Sequence, residues 1–96
     1  MILEAVILDV KNGLEADFEA AFAQAKAIIS AQPGFISLQL QKCLETENRY
    51  LLLVNWVTLE THTEGFRKSD AYQQWKALLH HFYEPFPVVE HYRSIL

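Results

Sequence analysis

Two stretches of the sequence, residues 2–10 and 50–57, are nearly continuous runs of apolar side chains rich in Ile, Leu and Val. Such runs are typical of β-strands that are covered on both faces of a sheet. The segments around them supply helices for only one face, so the other apolar face would be left in water. The pattern therefore restricts the chain to folds in which a further layer covers that second face.

The segments between these two runs predict one helix and one strand. Apolar residues spaced three or four apart between positions 14 and 31 indicate an amphipathic helix, and Pro33 and Gly34 end it. Residues 35–44 alternate polar and apolar side chains, as expected for a strand with one wet face. The first half of the chain is thus predicted to run strand, helix, strand, strand.

A second helical region follows the second apolar run. Thr61 and Glu64 have the spacing of a capping box, and Ser69 is placed to cap a further helix. Residues 88–96 follow two prolines that stop this helix and predict a last strand. The order strand, helix, strand, strand, helix, strand is that of the α+β ferredoxin-like fold, with helices on one face of a four-stranded antiparallel sheet.

The chain length and composition support a small domain that pairs with a copy of itself. Ninety-six residues make one domain, 1–96, and a chain this short buries a thin core. Yet 51% of the residues are apolar, more than such a core needs. We therefore expect a homodimer formed through the open sheet face.

The charge and cysteine content of the chain indicate its possible partners and its cellular location. The net charge is −4 and the basic residues are scattered, which argues against nucleic-acid binding. No apolar run approaches the about 20 residues that span a bilayer, so no membrane association is expected. The first residues lack the pattern of a secretory signal, and the single Cys43 cannot form a disulfide within the chain. These features favour a cytoplasmic location.

Several short motifs occur in an order and at spacings that are moderately specific. They are Lys11-x-Gly13 with Phe18 five residues on, Pro33-Gly34-Phe35, Asn48-Arg49-Tyr50 leading to Trp56, Thr58-Leu59-Glu60, and Ser69-Asp70-Ala71-Tyr72. Over essentially the whole chain this resembles the antibiotic biosynthesis monooxygenase domain family of the dimeric α/β-barrel superfamily. The resemblance implies a dimeric α/β barrel that oxygenates electron-rich aromatic compounds with O₂ and needs no flavin, haem or metal as cofactor.

The sequence departs from the family pattern at three places, one of which is Val54, where many relatives carry a carboxylate two residues before the strand Trp. Many relatives carry a His where this chain has Phe66, and here a His lies one turn earlier, at His62. The haem-degrading relatives use an Asn on the first strand, where this chain has Glu4 as its one polar residue before Asp9. The residue at position 4 therefore argues against haem degradation.

Trp56 and His62 are the first candidates for a functional site. Trp56 ends an apolar strand, where it either packs in the core or forms a flat wall for an aromatic substrate. His62 shares a helix face with Leu59 and Phe66, so it is either a hydrogen-bonded core residue or a general base. Burial would keep its imidazole neutral, which is the form that a base requires.

Three aromatic residues are candidates for contacts with a substrate. Tyr72 and Tyr83 could each donate a hydrogen bond to a substrate oxygen, and Phe66 could add an apolar surface. The alternative is that Tyr83, in the segment before the last strand, pins that strand and completes the dimer contact.

The other histidines are weaker candidates. His81 is the second choice for the base after His62, because it could reach a pocket rim or the partner chain. At about 100° per residue, however, both His80 and His81 lie well away from the buried helix stripe centred on Trp75, which favours positions in solvent. Strand alternation does not assign a face to His91. Adjacent histidines on a helix do not chelate together, so no metal site is expected.

The leading prediction is a cofactor-independent monooxygenase that acts on a small phenol-like or quinol-like compound with O₂. One alternative is a dimeric domain of the same fold that binds a small molecule, as in a stress response, without catalysis. Another is an isomerase or lyase on that fold, which would turn over its substrate without oxygen.

Overall fold

The computed structural model describes residues 1–96. It contains four strands and two α-helices: β1 (Ile2–Asp9), α1 (Glu15–Ser30), β2 (Phe35–Lys42), β3 (Arg49–Trp56), α2 (Asp70–Leu79) and β4 (Val89–Tyr92). Short helical turns of other kinds cover Thr61–Gly65, Phe66–Lys68 and His80–Phe82. The strands form one antiparallel sheet in the order β2-β3-β1-β4. This confirms the predicted α+β ferredoxin-like fold.

The two helices cover one face of the sheet. Strand alternation turns every second side chain of β1 and β3 toward them, and aromatic residues fill much of the layer between. The buried apolar residues from the strands and from position 10, just after β1, are Val6, Leu8, Val10, Tyr50, Leu52, Val54 and Trp56. Those from the two α-helices are Phe18, Phe22, Ala25, Ile29, Trp75 and Leu79.

The opposite face of the sheet carries no helix. Its apolar side chains are largely open to solvent, with Ile7 54%, Leu51 37% and Tyr92 50% exposed. Ile7 and Leu51 are direct cross-strand partners, so the exposed surface is continuous across β1 and β3. The single chain therefore has the uncovered apolar face that its strand pattern predicts.

The last strand is shorter than predicted. β4 pairs with β1 only from Leu3 opposite Tyr92 to Val6 opposite Val89, whereas a strand over 88–96 was expected. Since β1 begins at Ile2, the residues after Tyr92 have little strand to pair with, and 93–96 are irregular.

The capping box predicted for Thr61 and Glu64 is wrong. The Thr61 amide donates instead to the Thr58 hydroxyl at 3.2 Å, and the Thr61 hydroxyl donates to the Thr58 carbonyl. The segment Thr61–Gly65 forms a π-helical turn, in which the Phe66 amide donates to the Thr61 carbonyl five residues back. Such turns are rare and occur often at functional sites.

One contact fixes the start of this turn, and another caps the helix that follows. A side chain at Gly34, whose φ is +82°, would begin 2.5 Å from the Thr61 side chain, so only glycine permits the close approach of β2 to the turn. After the turn, the Ser69 hydroxyl accepts a hydrogen bond from the Tyr72 amide at 3.2 Å, which confirms Ser69 as the cap of α2. None of the helices has the length and apolar character needed to cross a bilayer.

Candidate functional site

A cavity of about 260 Å³ lies between the covered face of the sheet and α2. Aromatic rings form much of its wall, and four side chains that carry charge or titrate also reach it. The aromatic residues are Phe66, Tyr72, Trp75, Tyr83 and Phe86, and the others are Glu4, His62, Arg67 and His80. A small space lined mostly by hydrophobic residues, with a few polar groups among them, is typical of a ligand site.

Glu4 supplies a carboxyl group to this wall from inside the sheet. Its position on β1 turns the side chain toward the helices, and only 5% of the residue is exposed. Its Oε1 atom accepts a hydrogen bond from the Trp56 indole Nε1 at 2.9 Å and lies 3.5 Å from the Nε2 atom of His62. A carboxyl buried this deeply requires such partners, because burying an unpartnered one is costly.

His62 is held from three sides. The π-helical turn places its ring nearly parallel to that of Trp56, with the ring centroids 5.2 Å apart and the planes at 17°. One ring nitrogen, Nε2, faces Glu4. The other, Nδ1, lies 2.8 Å from the Nε2 atom of His91, within hydrogen-bond distance. His91 is the direct cross-strand partner of Glu4, so the sheet register brings all three side chains together.

Burial sets the protonation of these groups. It raises the pKa of Glu4, although the hydrogen bond from Trp56 and the nearby Arg67 charge act in the opposite direction. Burial, Arg67 and His91 together lower the pKa of His62 to about 4, so its imidazole is neutral at pH 7. Burial and Arg67 likewise lower the pKa of His91.

The opposite end of the cavity is formed by α2 and the segment after it. Burial, followed by the charge of Lys76, lowers the pKa of His80. Burial and the neighbouring Tyr72 raise the pKa of Tyr83, so its hydroxyl remains a hydrogen-bond donor. The His80 ring packs against those of Tyr72, Tyr83 and Phe86 at centroid distances of 5.1–6.0 Å.

Arg67 gives the cavity its positive charge. The side chain lines the cavity while the residue as a whole is exposed, and it takes part in none of the ion pairs of the chain. Its guanidinium is therefore free to attract an anionic group of a ligand.

The structure brings together four of the six residues proposed from the sequence. His62, Phe66, Tyr72 and Tyr83 all line the cavity. Trp56 does not, because it is completely buried and contacts the site through its hydrogen bond to Glu4 and its stacking on His62. His81 is exposed, with its ring against Phe82, and it does not line the cavity.

Sequence reasoning missed Glu4, Arg67, His80 and His91. The signal for Glu4 was present, since it is a lone carboxyl within an apolar run. The expectation that His80 faces solvent is wrong, because α2 ends at Leu79 and the chain tightens into a 3₁₀ turn that begins at His80. A 3₁₀ turn advances about 120° per residue, so the angle extrapolated from an α-helix does not hold there.

No group of three or more His, Cys, Asp or Glu side chains is arranged to hold a metal ion. The cluster around Glu4 instead consists of an indole, a carboxyl and two imidazoles that bind one another.

Comparison with known proteins assigns the family. The model of the family described as "Antibiotic biosynthesis monooxygenase" matches residues 1–78. The chain belongs to this family. A crystal structure of a Bordetella bronchiseptica protein of the same family superposes with a TM-score of 0.94 at 35% identity, over 99% of this chain and 97% of the other.

Two further proteins are similar to the chain. Protein YczJ of Bacillus subtilis (strain 168), which is uncharacterized, is 58% identical over 95 residues, which are 99% of this chain and all of the relative. SnoaB of Streptomyces nogalater, a cofactor-independent oxygenase, has a TM-score of 0.78 at 21% identity, over 99% of this chain and 95% of that chain. The likeness to SnoaB shows a shared fold.

The buried, neutral state of His62 leads to a prediction for stability. An imidazole with a pKa of about 4 in the folded chain and 6.5 in the unfolded chain binds more protons when unfolded at pH values between the two, so acidification favours unfolding. From pH 7 to pH 4, the free energy of unfolding of the wild type should fall by on the order of 3 kcal/mol more than that of His62→Gln.

Urea denaturation at a series of pH values measures this difference. Glu4 acts with the opposite sign, because its raised pKa makes the folded chain the better proton binder. Since Glu4 is present in both proteins, its contribution largely cancels in the comparison. Parallel stability curves for the two proteins would show that His62 is not held neutral by burial.

Proposed function

We propose that this protein is a cofactor-independent monooxygenase that uses O₂ to oxygenate a small phenol-like or quinol-like compound. The observation that supports this most is the composition of the cavity wall, which combines aromatic rings with a buried carboxyl–imidazole pair, Glu4 and His62. Its volume of about 260 Å³ lies just below the roughly 300–1,000 Å³ of pockets for drug-sized ligands, which suits a small aromatic compound.

The chemistry requires little from the protein. A quinol that has lost a proton is a strong electron donor and can reduce O₂ directly. One oxygen atom replaces a ring hydrogen as a hydroxyl group, and the other leaves as water. The quinol thereby becomes a hydroxyquinone. The four electrons lost by the substrate match the four taken up by O₂. The protein supplies a proton acceptor, a largely dry cavity and groups that stabilise the phenolate charge.

Each of these requirements has a counterpart in the cavity. The carboxyl–imidazole pair of Glu4 and His62 is the proposed proton acceptor, and the unpaired guanidinium of Arg67 is positioned to attract the phenolate. Tyr72 and Tyr83 are proposed to donate hydrogen bonds to substrate oxygens, and Phe66 to contact the substrate ring. Trp56 supports the site from behind through Glu4 and His62.

Oxygen consumption and isotope incorporation test this function. With methylhydroquinone, the protein should consume one O₂ per quinol above the rate of spontaneous oxidation, and ¹⁸O₂ should place one labelled atom in the product. Val89→Trp, which fills the cavity from β4, should lower the rate at least tenfold, whereas the control Ala77→Trp on the exposed side of α2 should not.

Other outcomes of this experiment would favour the other functions. Quinol binding without O₂ uptake would indicate a binding domain, and turnover of a substrate under anaerobic conditions would indicate an isomerase or lyase. Equal rates for the wild type and Val89→Trp would show that the reaction does not take place in this cavity.

We also propose that the protein forms a homodimer through the open face of its sheet. Members of this family are commonly dimeric, and the exposed side chains of Ile7, Leu51 and Tyr92 form an apolar surface with no cover in the single chain. Burying such side chains against a second copy is worth roughly 25 cal/mol per Å² of apolar surface.

Sedimentation equilibrium tests the dimer. The wild type should have twice the mass of one chain, and Ile7→Glu should weaken the dimer at least tenfold, because it would bury a charge at the interface. Ala27→Glu introduces the same charge on the exposed side of α1 and should leave the dimer intact. A monomeric wild type, or a dimer unaffected by Ile7→Glu, would contradict the proposed interface.

A further inference from the structure

The two oxygen atoms of Glu4 have different surroundings. Oε1 accepts the hydrogen bond from Trp56 and faces His62, whereas Oε2 has no hydrogen-bond partner in the protein. No fully buried side-chain oxygen or nitrogen of the chain lacks a partner, so Oε2 is not sealed off. Because Glu4 lines the cavity, this second oxygen is the part of the carboxyl that a ligand can reach.

The nitrogens of His62 are differently placed. Oε1 of Glu4 presents lone pairs, as its hydrogen bond from Trp56 shows. A second lone pair on His62 Nε2, 3.5 Å away, would be repelled, which favours the tautomer with the hydrogen on Nε2. A neutral imidazole has only one N–H. In that tautomer Nδ1 is the acceptor, and the Nε2–H group of His91 donates to it across 2.8 Å.

This tautomer leaves His62 with no free lone pair. Its Nε2 atom is a donor, and its Nδ1 atom already accepts a hydrogen bond from His91. A proton from a substrate could reach the imidazole only if the contact with His91 broke. Glu4 Oε2, in contrast, is a free acceptor at the cavity wall.

We propose that Glu4 is the catalytic base, and that His62 and His91 are positioning residues that hold its carboxylate as a proton acceptor. This inference rests on the proposed function. It names Glu4, rather than His62, as the member of the pair that accepts the substrate proton. The substrate O–H bond breaks, its proton binds Glu4 Oε2, and the electron pair stays on the substrate oxygen. The proton then passes to the oxygen atom that leaves as water.

The charges around Glu4 suit this role. Burial raises its pKa, which makes the carboxylate a stronger base than one on the surface. Arg67 and the hydrogen bond from Trp56 counteract that rise, which favours the ionised form. His62, His91 and Arg67 are the charged or titratable groups beside Glu4, and burial lowers the pKa of both histidines, which favours their neutral forms.

Matched substitutions separate the two candidates for the base. Glu4→Gln keeps an acceptor oxygen for Trp56 but removes the basic oxygen, so kcat should fall at least 100-fold and the rise of the rate with pH should disappear. His62→Gln retains an N–H that can face Glu4, and should lose less than tenfold while keeping that rise. A Glu4→Gln enzyme within tenfold of the wild type, or loss of the pH dependence only in His62→Gln, would overturn the assignment.

A second measurement needs no turnover. Infrared difference spectra with 4-nitrophenol, a phenol that resists oxidation, should show the carbonyl band of a protonated carboxyl when the ligand binds to the wild type or to His62→Gln. Glu4→Gln should not show it. Absence of the band from the wild type would contradict proton transfer to Glu4.

The two measurements distinguish the two proposals. If the band appears but the wild type consumes no O₂ with quinols, the proposed function fails and Glu4 remains the proton acceptor of the site. If the wild type consumes O₂ and Glu4→Gln does so equally well, the function stands and the assignment of the base fails.

Discussion

The site depends on a carboxyl group buried inside an apolar sheet. Glu4 lies on a central strand with its side chain among Leu, Val and aromatic residues, where an unpartnered carboxylate would cost several kcal/mol or more. The structure offsets that cost with the indole N–H of Trp56, the His62 ring 3.5 Å away and the charge of Arg67 nearby. Trp56 ends β3, His62 and Arg67 lie in the segment before α2, and His91 on β4 contacts His62 in turn. The requirements of one carboxyl therefore constrain the placement of β3, β4 and the segment before α2.

Three backbone features bring those partners together. The register of β1 and β4 sets His91 directly opposite Glu4, and strand alternation turns both side chains toward the helices. The π-helical turn after β3 places both the His62 and Phe66 rings against Trp56, with centroids 5.2 Å and 5.9 Å away. Gly34 allows that turn to approach β2 closely. A site built on strands and packed turns in this way is held rigidly, as proton transfer over short distances requires.

Much of this arrangement could be predicted from the sequence, because it depends on local patterns. The element order, the uncovered sheet face and the cap at Ser69 follow from side-chain periodicity and capping chemistry. His62, Phe66, Tyr72 and Tyr83 were expected to be near a substrate, and all four line one cavity.

The rest depends on geometry that the sequence does not reveal. The face taken by His91 follows from the pairing register of a four-residue strand, and His80 reaches the cavity because α2 tightens into a 3₁₀ turn. The π-helical turn replaced an expected capping box because the two threonines bind each other. Glu4 is a further case. A lone carboxyl in an apolar strand shows that it needs polar partners, but the sequence does not identify which residues those partners are.

The central claim is that His62 is neutral, protonated on Nε2, and already accepting a hydrogen bond from His91 at Nδ1. Nitrogen NMR of the ¹⁵N-histidine-labelled protein at pH 7 tests this directly, because the chemical shifts of ring nitrogens distinguish protonated from unprotonated atoms. The account predicts a protonated Nε2 and an unprotonated, hydrogen-bonded Nδ1 for His62. A doubly protonated ring, or a proton on Nδ1 alone, would contradict it.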